Sequence, residues 1–116
     1  MQNWQGRYGC APENASTARR EVMEFASTWF SDSALTDIGW AVGEALASAV
    51  LRCGADDIEV SCAMFGRTFV VEVTDNGEMA EPVATAGYSL VIMHELMDDV
   101  EYVDDGHCIR LTKFIL

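Results

Sequence analysis

The chain has 116 residues, of which half are hydrophobic and 22% are charged. This length and composition predict one globular domain over residues 1–116, and they exclude a disordered chain or two packed domains. Nineteen acidic residues against seven basic ones give a net charge of −12. Because nucleic acids and anionic membranes are recognised largely through Lys and Arg, this charge disfavours both as partners.

Targeting and redox features are sparse in the sequence. No run of about 18 apolar residues predicts a transmembrane helix, and residues 1–7 lack the apolar region of a signal peptide. The four cysteines form no C-x-x-C pair, and the two histidines do not cluster with them, so no zinc site is predicted. We therefore expect a cytoplasmic protein with reduced, mostly buried thiols.

Two helices are predicted in the first half of the chain. Asn14 or Ser16 can cap the first one, because a side-chain oxygen can satisfy the free N–H groups of a first turn. Apolar residues then repeat at helical spacing over Val22–Phe30. The second helix has an apolar face over Ile38–Cys53, and Gly54 is a natural end for it.

The hydrophobic period then changes to two. Residues 58–64 and 69–74 alternate apolar and polar side chains, which predicts two antiparallel strands joined by a hairpin turn at 65–67. Residues 75–86 follow with no clear period. A long loop of this kind in a compact domain is more often functional than decorative.

The last third of the chain predicts a third helix over Leu90–Met97 and a final hairpin that pairs residues 100–103 with 108–114. Strands joined by hairpins, with helices segregated from them, are typical of the α+β class. We expect a two-layer α/β sandwich in which a mixed, mostly antiparallel sheet carries the helices on one face.

Three places in this order could carry chemistry. On the second helix, Glu44 and Ser48 lie one turn apart at the edge of the apolar face, which equally fits a solvated helix edge. Asp75 and Gly77 lie where a strand ends, and they suit either an ordinary turn or a carboxylate that binds a planar ligand.

The third place is the start of the third helix. Gly87 and Ser89 lead into it, and the free N–H groups of a helix N-terminus can receive an anion. A Gly/Ser helix start without a ligand is the commoner explanation of such a pattern. His94, inside the same helix, is interpreted as a packed or surface histidine rather than as a ligand.

Four segments resemble the motifs of one family. E-A-L-A-S-A-V at 44–50 is similar to the E-A-x-x-N-A-[IV] helix motif of the anti-sigma-factor serine/threonine kinases, and V-T-D-N-G at 73–77 to their V-x-D-x-G box. L-M-D-D-V-E-Y at 96–102 is very close to their L-M-D-E-V-E-Y. I-R-L-T-K-F at 109–114 resembles their closing strand. The chain thus resembles this family, which has the gyrase/histidine-kinase type (Bergerat) ATP-binding fold, over about residues 10–116.

The resemblance implies a bacterial transcription regulator that works by partner switching. Family members use ATP and Mg²⁺ to phosphorylate a serine on an anti-sigma antagonist, and they hold a sigma factor inactive. Carried over by position, Glu44 would polarise the attacking serine hydroxyl, Asp75 would recognise the adenine amino group, and Gly77 would allow close approach to the base. Gly87 and Ser89 would lie against the phosphates. Family members often form dimers, so a homodimer is implied as well.

The sequence departs from the family pattern at positions that matter for nucleotide chemistry. Ser48 stands where the family has a metal-binding Asn, and a shorter side chain suits the strict geometry of Mg²⁺ poorly. Ser89 and Met79 each stand where the family has a glycine. Glu78 and Glu81 add negative charge beside the expected polyphosphate. These departures predict weakened binding of ATP and Mg²⁺.

Two functions of different class remain open from the sequence. One is a protein serine kinase of the partner-switching type, which the retention of Glu44 and Asp75 favours. The other is a non-catalytic protein-interaction module of the same fold, which the departures favour. Both predict a regulatory protein partner, either a sigma factor or an anti-sigma antagonist. The catalytic domain of a histidine kinase fits less well, because no helical region carrying a phosphorylatable histidine is present.

Overall fold

The structure is a computed structural model that describes residues 2–52, 57–75, 87–103 and 107–115, without the side chains of residues 87–89. It contains three helices and five strands within these ranges. In chain order they are β1 (Gln2–Gly9), α1 (Pro12–Ala26), α2 (Asp32–Arg52), β2 (Asp57–Phe65), β3 (Thr68–Asp75), α3 (Gly87–Leu96), β4 (Asp99–Val103) and β5 (Cys108–Phe114).

The five strands form one sheet in the order β1-β2-β3-β5-β4, and every neighbouring pair is antiparallel. The predicted α+β class is confirmed, with a fully antiparallel sheet among the described strands. The hairpin between β2 and β3 turns at Gly66, whose φ of 59° lies in the left-handed region that glycine adopts without strain. The period-two pattern therefore located β2 and β3 to within about a residue.

One face of the sheet packs against the helices and forms the core. Alternate residues of β2 and β3 are buried, as alternation on a sheet with one covered face requires. Phe69 lies at the centre of this layer with no exposed surface, and its ring is 6.2 Å from that of Phe25 and 5.5 Å from that of Phe30. Phe30 thus packs on the sheet although it lies beyond the end of α1.

The ends of α1 differ from the prediction. The helix begins at Pro12, with Ala11 as its N-cap and no side-chain cap hydrogen bond, and it ends at Ala26. Proline favours the first helical position because its φ is already helical and it lacks an N–H that would go unpaired. Asn14 Nδ2 instead donates a hydrogen bond to the carbonyl oxygen of Gly9 at 3.1 Å.

β1 is an edge strand that apolar alternation does not reveal. It pairs with β2 along its whole length, from Gln2 opposite Met64 to Gly9 opposite Asp57. Trp4 and Tyr8 pack against the core from β1, whereas most of its other residues are exposed. An edge strand of this kind is held mainly by backbone hydrogen bonds, which any polar sequence can make.

α2 is the central helix of the helical layer, in contact with α1, α3 and β3. Among the described helices, it alone is long and apolar enough, by length and composition, to cross a membrane. Its apolar face, which includes Ile38, Val42, Leu46 and Ala49, is buried inside the domain. Packing in the core accounts for the apolar character of this face.

The cysteines differ in state. Cys62 and Cys108 are buried thiols outside any disulfide, as expected. Cys10 is disulfide-bonded, which corrects the expectation of a reduced thiol at that position. Its Sγ lies 3.5 Å from the carbonyl oxygen of Val50, so the fold brings the start of α1 to the end of α2. Spacing along the sequence carries no information on this proximity.

The Cys62 thiol should make the protein less stable in alkali. Burial raises its pKa to about 12. Because the Cys62 thiol keeps its proton in the folded state when it has lost it in the unfolded chain, its stabilising contribution is complete below about pH 8.5 and falls as the pH rises toward 12.

The burial of Cys62 also predicts its reactivity. We expect iodoacetamide to spare Cys62 at pH 8 and to modify it once urea is added. Peptide mapping checks this, and rapid native modification would contradict the burial.

Candidate functional site

The end of α2 meets the end of β3 through one buried ion pair. Asp75 is the last residue of β3, and its Oδ2 accepts hydrogen bonds from Arg52 Nη2 at 2.6 Å and from Arg52 Nε at 3.2 Å. The Arg52 side chain is 5% exposed and the Asp75 side chain is fully buried. We call this contact the Arg52–Asp75 pair.

Two further polar side chains surround the pair. His107, just before β5, places its Nδ1 3.7 Å from Asp75 Oδ1, and its carbonyl oxygen accepts a hydrogen bond from the Asp75 N–H at 2.9 Å. Tyr102, on β4, has a raised pKa because its hydroxyl is withdrawn from water, and the positive charge of Arg52 opposes that shift. The ends of α2, β3, β4 and β5 therefore converge on one polar cluster.

The cluster leaves three buried polar atoms without a hydrogen-bond partner within the described part of the chain. They are Arg52 Nη1, Tyr102 Oη and His107 Nδ1. Buried polar groups are nearly always paired in native proteins, because an unpaired one loses its bond to water and gains nothing in return. All three atoms lie in this cluster, so the described residues alone do not complete its hydrogen bonding.

Glu44 lies elsewhere along α2. It is partly buried and lines a shallow cleft of about 400 Å³ together with Arg19, Trp40 and Ala47. Trp40 is 59% exposed, an unusual state for so large an apolar side chain. The cleft lies over the joint between α1 and α2, so Glu44 borders this joint rather than the Arg52–Asp75 pair.

Ser48 is one turn before Arg52 on α2 and is itself buried, with 7% of its surface exposed. Its hydroxyl is therefore largely withdrawn from solvent. No group of three or more His, Cys, Asp or Glu side chains in the described ranges could hold a metal ion. The proposed role of Ser48 as a Mg²⁺ ligand remains a prediction.

The other predicted residues lie at the edge of the described ranges or outside them. Gly77 falls outside the described residues. Gly87 is the first residue of α3 and Ser89 lies in its first turn, so the helix begins three residues before the predicted Leu90. The roles of these three residues toward the base and the phosphates remain predictions.

The residues that sequence reasoning missed are those whose importance depends on contacts. Tyr102 and His107 lie in or beside a hairpin and carry no local signal of a site. Arg52 lies on the same stripe of α2 as Glu44 and Ser48, but nothing in that spacing indicates that it reaches Asp75. The one usable signal is the largely apolar run A-S-A-V-L-R at 47–52, which Arg52 ends, since a charge that is buried beside such a run requires a partner.

The fit of these residues to ATP and Mg²⁺ is incomplete in this conformation. A carboxylate at a strand end has the right chemistry for the amino group of adenine, but the Asp75 carboxylate is enclosed and bound by Arg52. Because the Asp75 side chain is fully buried, a base could reach it only after the residues that enclose it, Arg52 among them, have moved. For Mg²⁺, the described ranges provide Ser48 as the single residue that the motif would assign, and a buried hydroxyl alone is not a metal site.

A family model described as the histidine kinase-like ATPase domain matches residues 10–113. No curated protein matches the chain. The match covers both motif-bearing helices and four of the five strands, in the order that the structure shows. The chain belongs to the histidine kinase-like ATPase domain family.

Proposed function

We propose that the chain is an anti-sigma-factor-like regulatory protein that binds ATP and Mg²⁺ and phosphorylates a serine of an antagonist partner. The observation that carries this proposal is the placement of Asp75 against α2, the helix that also bears Glu44. Arg52 and Glu44 are eight residues apart, which is roughly 12 Å along a helix axis. An extended nucleoside triphosphate spans a comparable length between its base and its terminal phosphate.

In this proposal the two carboxylates have separate roles. Glu44 is only partly buried and borders a cleft, so a serine hydroxyl of a partner protein can approach it and transfer a proton to it. Asp75 is buried, so it suits recognition of a base that has itself left water. The net charge of −12 favours a partner that presents basic residues, because opposite charge speeds encounter.

A titration of Mg-ATP against the melting temperature tests nucleotide binding. A ligand that binds only the folded state raises the melting temperature, so we expect a rise at millimolar ATP. Asp75→Asn should abolish the rise, whereas Glu44→Gln should keep the rise and lose phosphoryl transfer to a co-purified partner. A flat titration of the wild type at millimolar ATP would end the kinase proposal.

The metal position is tested in the same titration. If Ser48 occupies the position of the family's metal-binding Asn, Ser48→Asn should strengthen binding in the presence of Mg²⁺ and leave binding in EDTA unchanged. An equal affinity of Ser48→Asn and wild type in Mg²⁺ would show that Ser48 is not at the metal position.

A second candidate function is favoured by the Arg52–Asp75 pair. A non-catalytic protein-interaction module of this fold has no need of an accessible Asp75, and a buried ion pair there is compatible with it. This candidate predicts that the co-purified partner binds equally well with and without ATP. Loss of partner binding on removal of ATP would exclude it.

We further propose a cytoplasmic location and a homodimer. The acidic surface and the buried thiols of Cys62 and Cys108 support the first, whereas disulfide-bonded Cys10 is an uncommon feature in that compartment. The dimer follows from the anti-sigma-factor kinases that the chain resembles, and light scattering in solution tests it directly.

A further inference from the structure

Under the function proposed above, Asp75 recognises the base of ATP, and Arg52 is bound to that same carboxylate. Asp75 Oδ2 receives two hydrogen bonds from one guanidinium, and neither side chain is open to solvent. A base that needs this carboxylate must therefore compete with Arg52 for it. The competitor belongs to the same chain, so it is always present at high effective concentration.

We propose that Arg52 blocks the Asp75 carboxylate that recognises the base, and that ATP binds only to the fraction of molecules in which Arg52 has left Asp75. We call the state with Arg52 bound to Asp75 closed and the other state open. Arg52 is then a residue that sets nucleotide affinity from within the fold.

One feature of the closed state favours its opening. Arg52 Nη1 is buried and has no hydrogen-bond partner in the described structure. The charge of Arg52 is stabilised by Asp75, but this unpaired donor opposes burial of the guanidinium. On leaving Asp75, Arg52 regains a partner for Nη1 in water. The closed and open states are therefore closer in free energy than a fully bonded buried ion pair would allow.

The fraction of molecules in the open state sets the expected change in the affinity for Mg-ATP. When the competent state is a fraction of all molecules, the apparent dissociation constant is the intrinsic one divided by that fraction. If Arg52 keeps about nine molecules in ten closed, its removal should lower the apparent dissociation constant for Mg-ATP by about tenfold.

The experiment compares Mg-ATP affinity, by calorimetry, among wild type, Arg52→Gln, Arg52→Lys and a matched control. Arg110→Gln removes the same charge from an ion pair with Glu72 on the open face of the sheet, so it controls for net charge. Arg52→Lys retains a buried positive charge for Asp75 but lacks the planar fork, and it keeps the test valid if Arg52→Gln fails to fold.

We expect about tenfold tighter binding in Arg52→Gln, an intermediate gain in Arg52→Lys, and no gain in Arg110→Gln. The gain should disappear in Arg52→Gln/Asp75→Asn. Measurable binding that is equal or weaker in both Arg52 variants would overturn the closure and leave the proposed function intact. Absence of binding in wild type and in every variant would overturn both.

Discussion

Asp75→Ala should lower the free energy of unfolding by about 1–3 kcal/mol. The substitution leaves the Arg52 guanidinium, 5% exposed, without its counter-ion in the interior. The remaining guanidinium loses both hydrogen bonds to Asp75 and recovers only part of that loss when it turns toward water. Urea denaturation followed by circular dichroism measures the change.

A matched control lies on the open face of the same sheet. Glu72 pairs with Arg110 at 2.9 Å, but both side chains are more than a third exposed, so Glu72→Ala should cost less than about 1 kcal/mol. The double variant Arg52→Met/Asp75→Leu should recover much of the loss, because two apolar side chains need no counter-ion. Equal costs for Asp75→Ala and Glu72→Ala would show that water reaches the Arg52–Asp75 pair.

Phe69→Ala should lower the free energy of unfolding by about 3–5 kcal/mol. Phe69 is among the largest fully buried side chains, and it contacts the rings of Phe25 and Phe30. Its removal leaves a cavity between the sheet and the helical layer that the backbone of β3 cannot close. The same urea titration measures the loss.

Phe65→Ala provides the comparison for Phe69→Ala. Phe65 lies in the same hairpin, at the end of β2, and is 52% exposed. Its truncation should change the free energy of unfolding by less than about 1 kcal/mol, since exposed side chains leave no cavity. A similar loss in both variants would mean that the face of the sheet opposite the helices is also covered in solution.

Much of the fold could be predicted because its signals are local. The alternation in residues 58–64 and 69–74 reports which side of a strand is buried, and no knowledge of the partner is needed to detect it. The edge strand β1 and the ends of α1 could not be predicted in this way. β1 is held largely by backbone pairing, and the start of α1 depends on Pro12 and Ala11 rather than on a polar cap.

The candidate site was predictable in part. Glu44, Ser48 and Asp75 lie on the elements that the motifs assign to them, with Gly87 and Ser89 at the start of α3. Their roles were inferred from resemblance, which fixes positions along the chain and not distances between side chains. The separation of Glu44 from the Arg52–Asp75 pair is therefore known only from the packing of α2 against the sheet.

By itself, the sequence determined the fold class and the histidine kinase-like ATPase type of fold, because hydrophobic period and motif order are properties of consecutive residues. The tertiary structure decided that Asp75 is enclosed by Arg52, 23 residues away, and that Tyr102 and His107 join them. Such a pairing depends on how α2 packs on β3, which follows from the shape of the whole core. A buried charge takes whichever counter-ion that packing brings within reach.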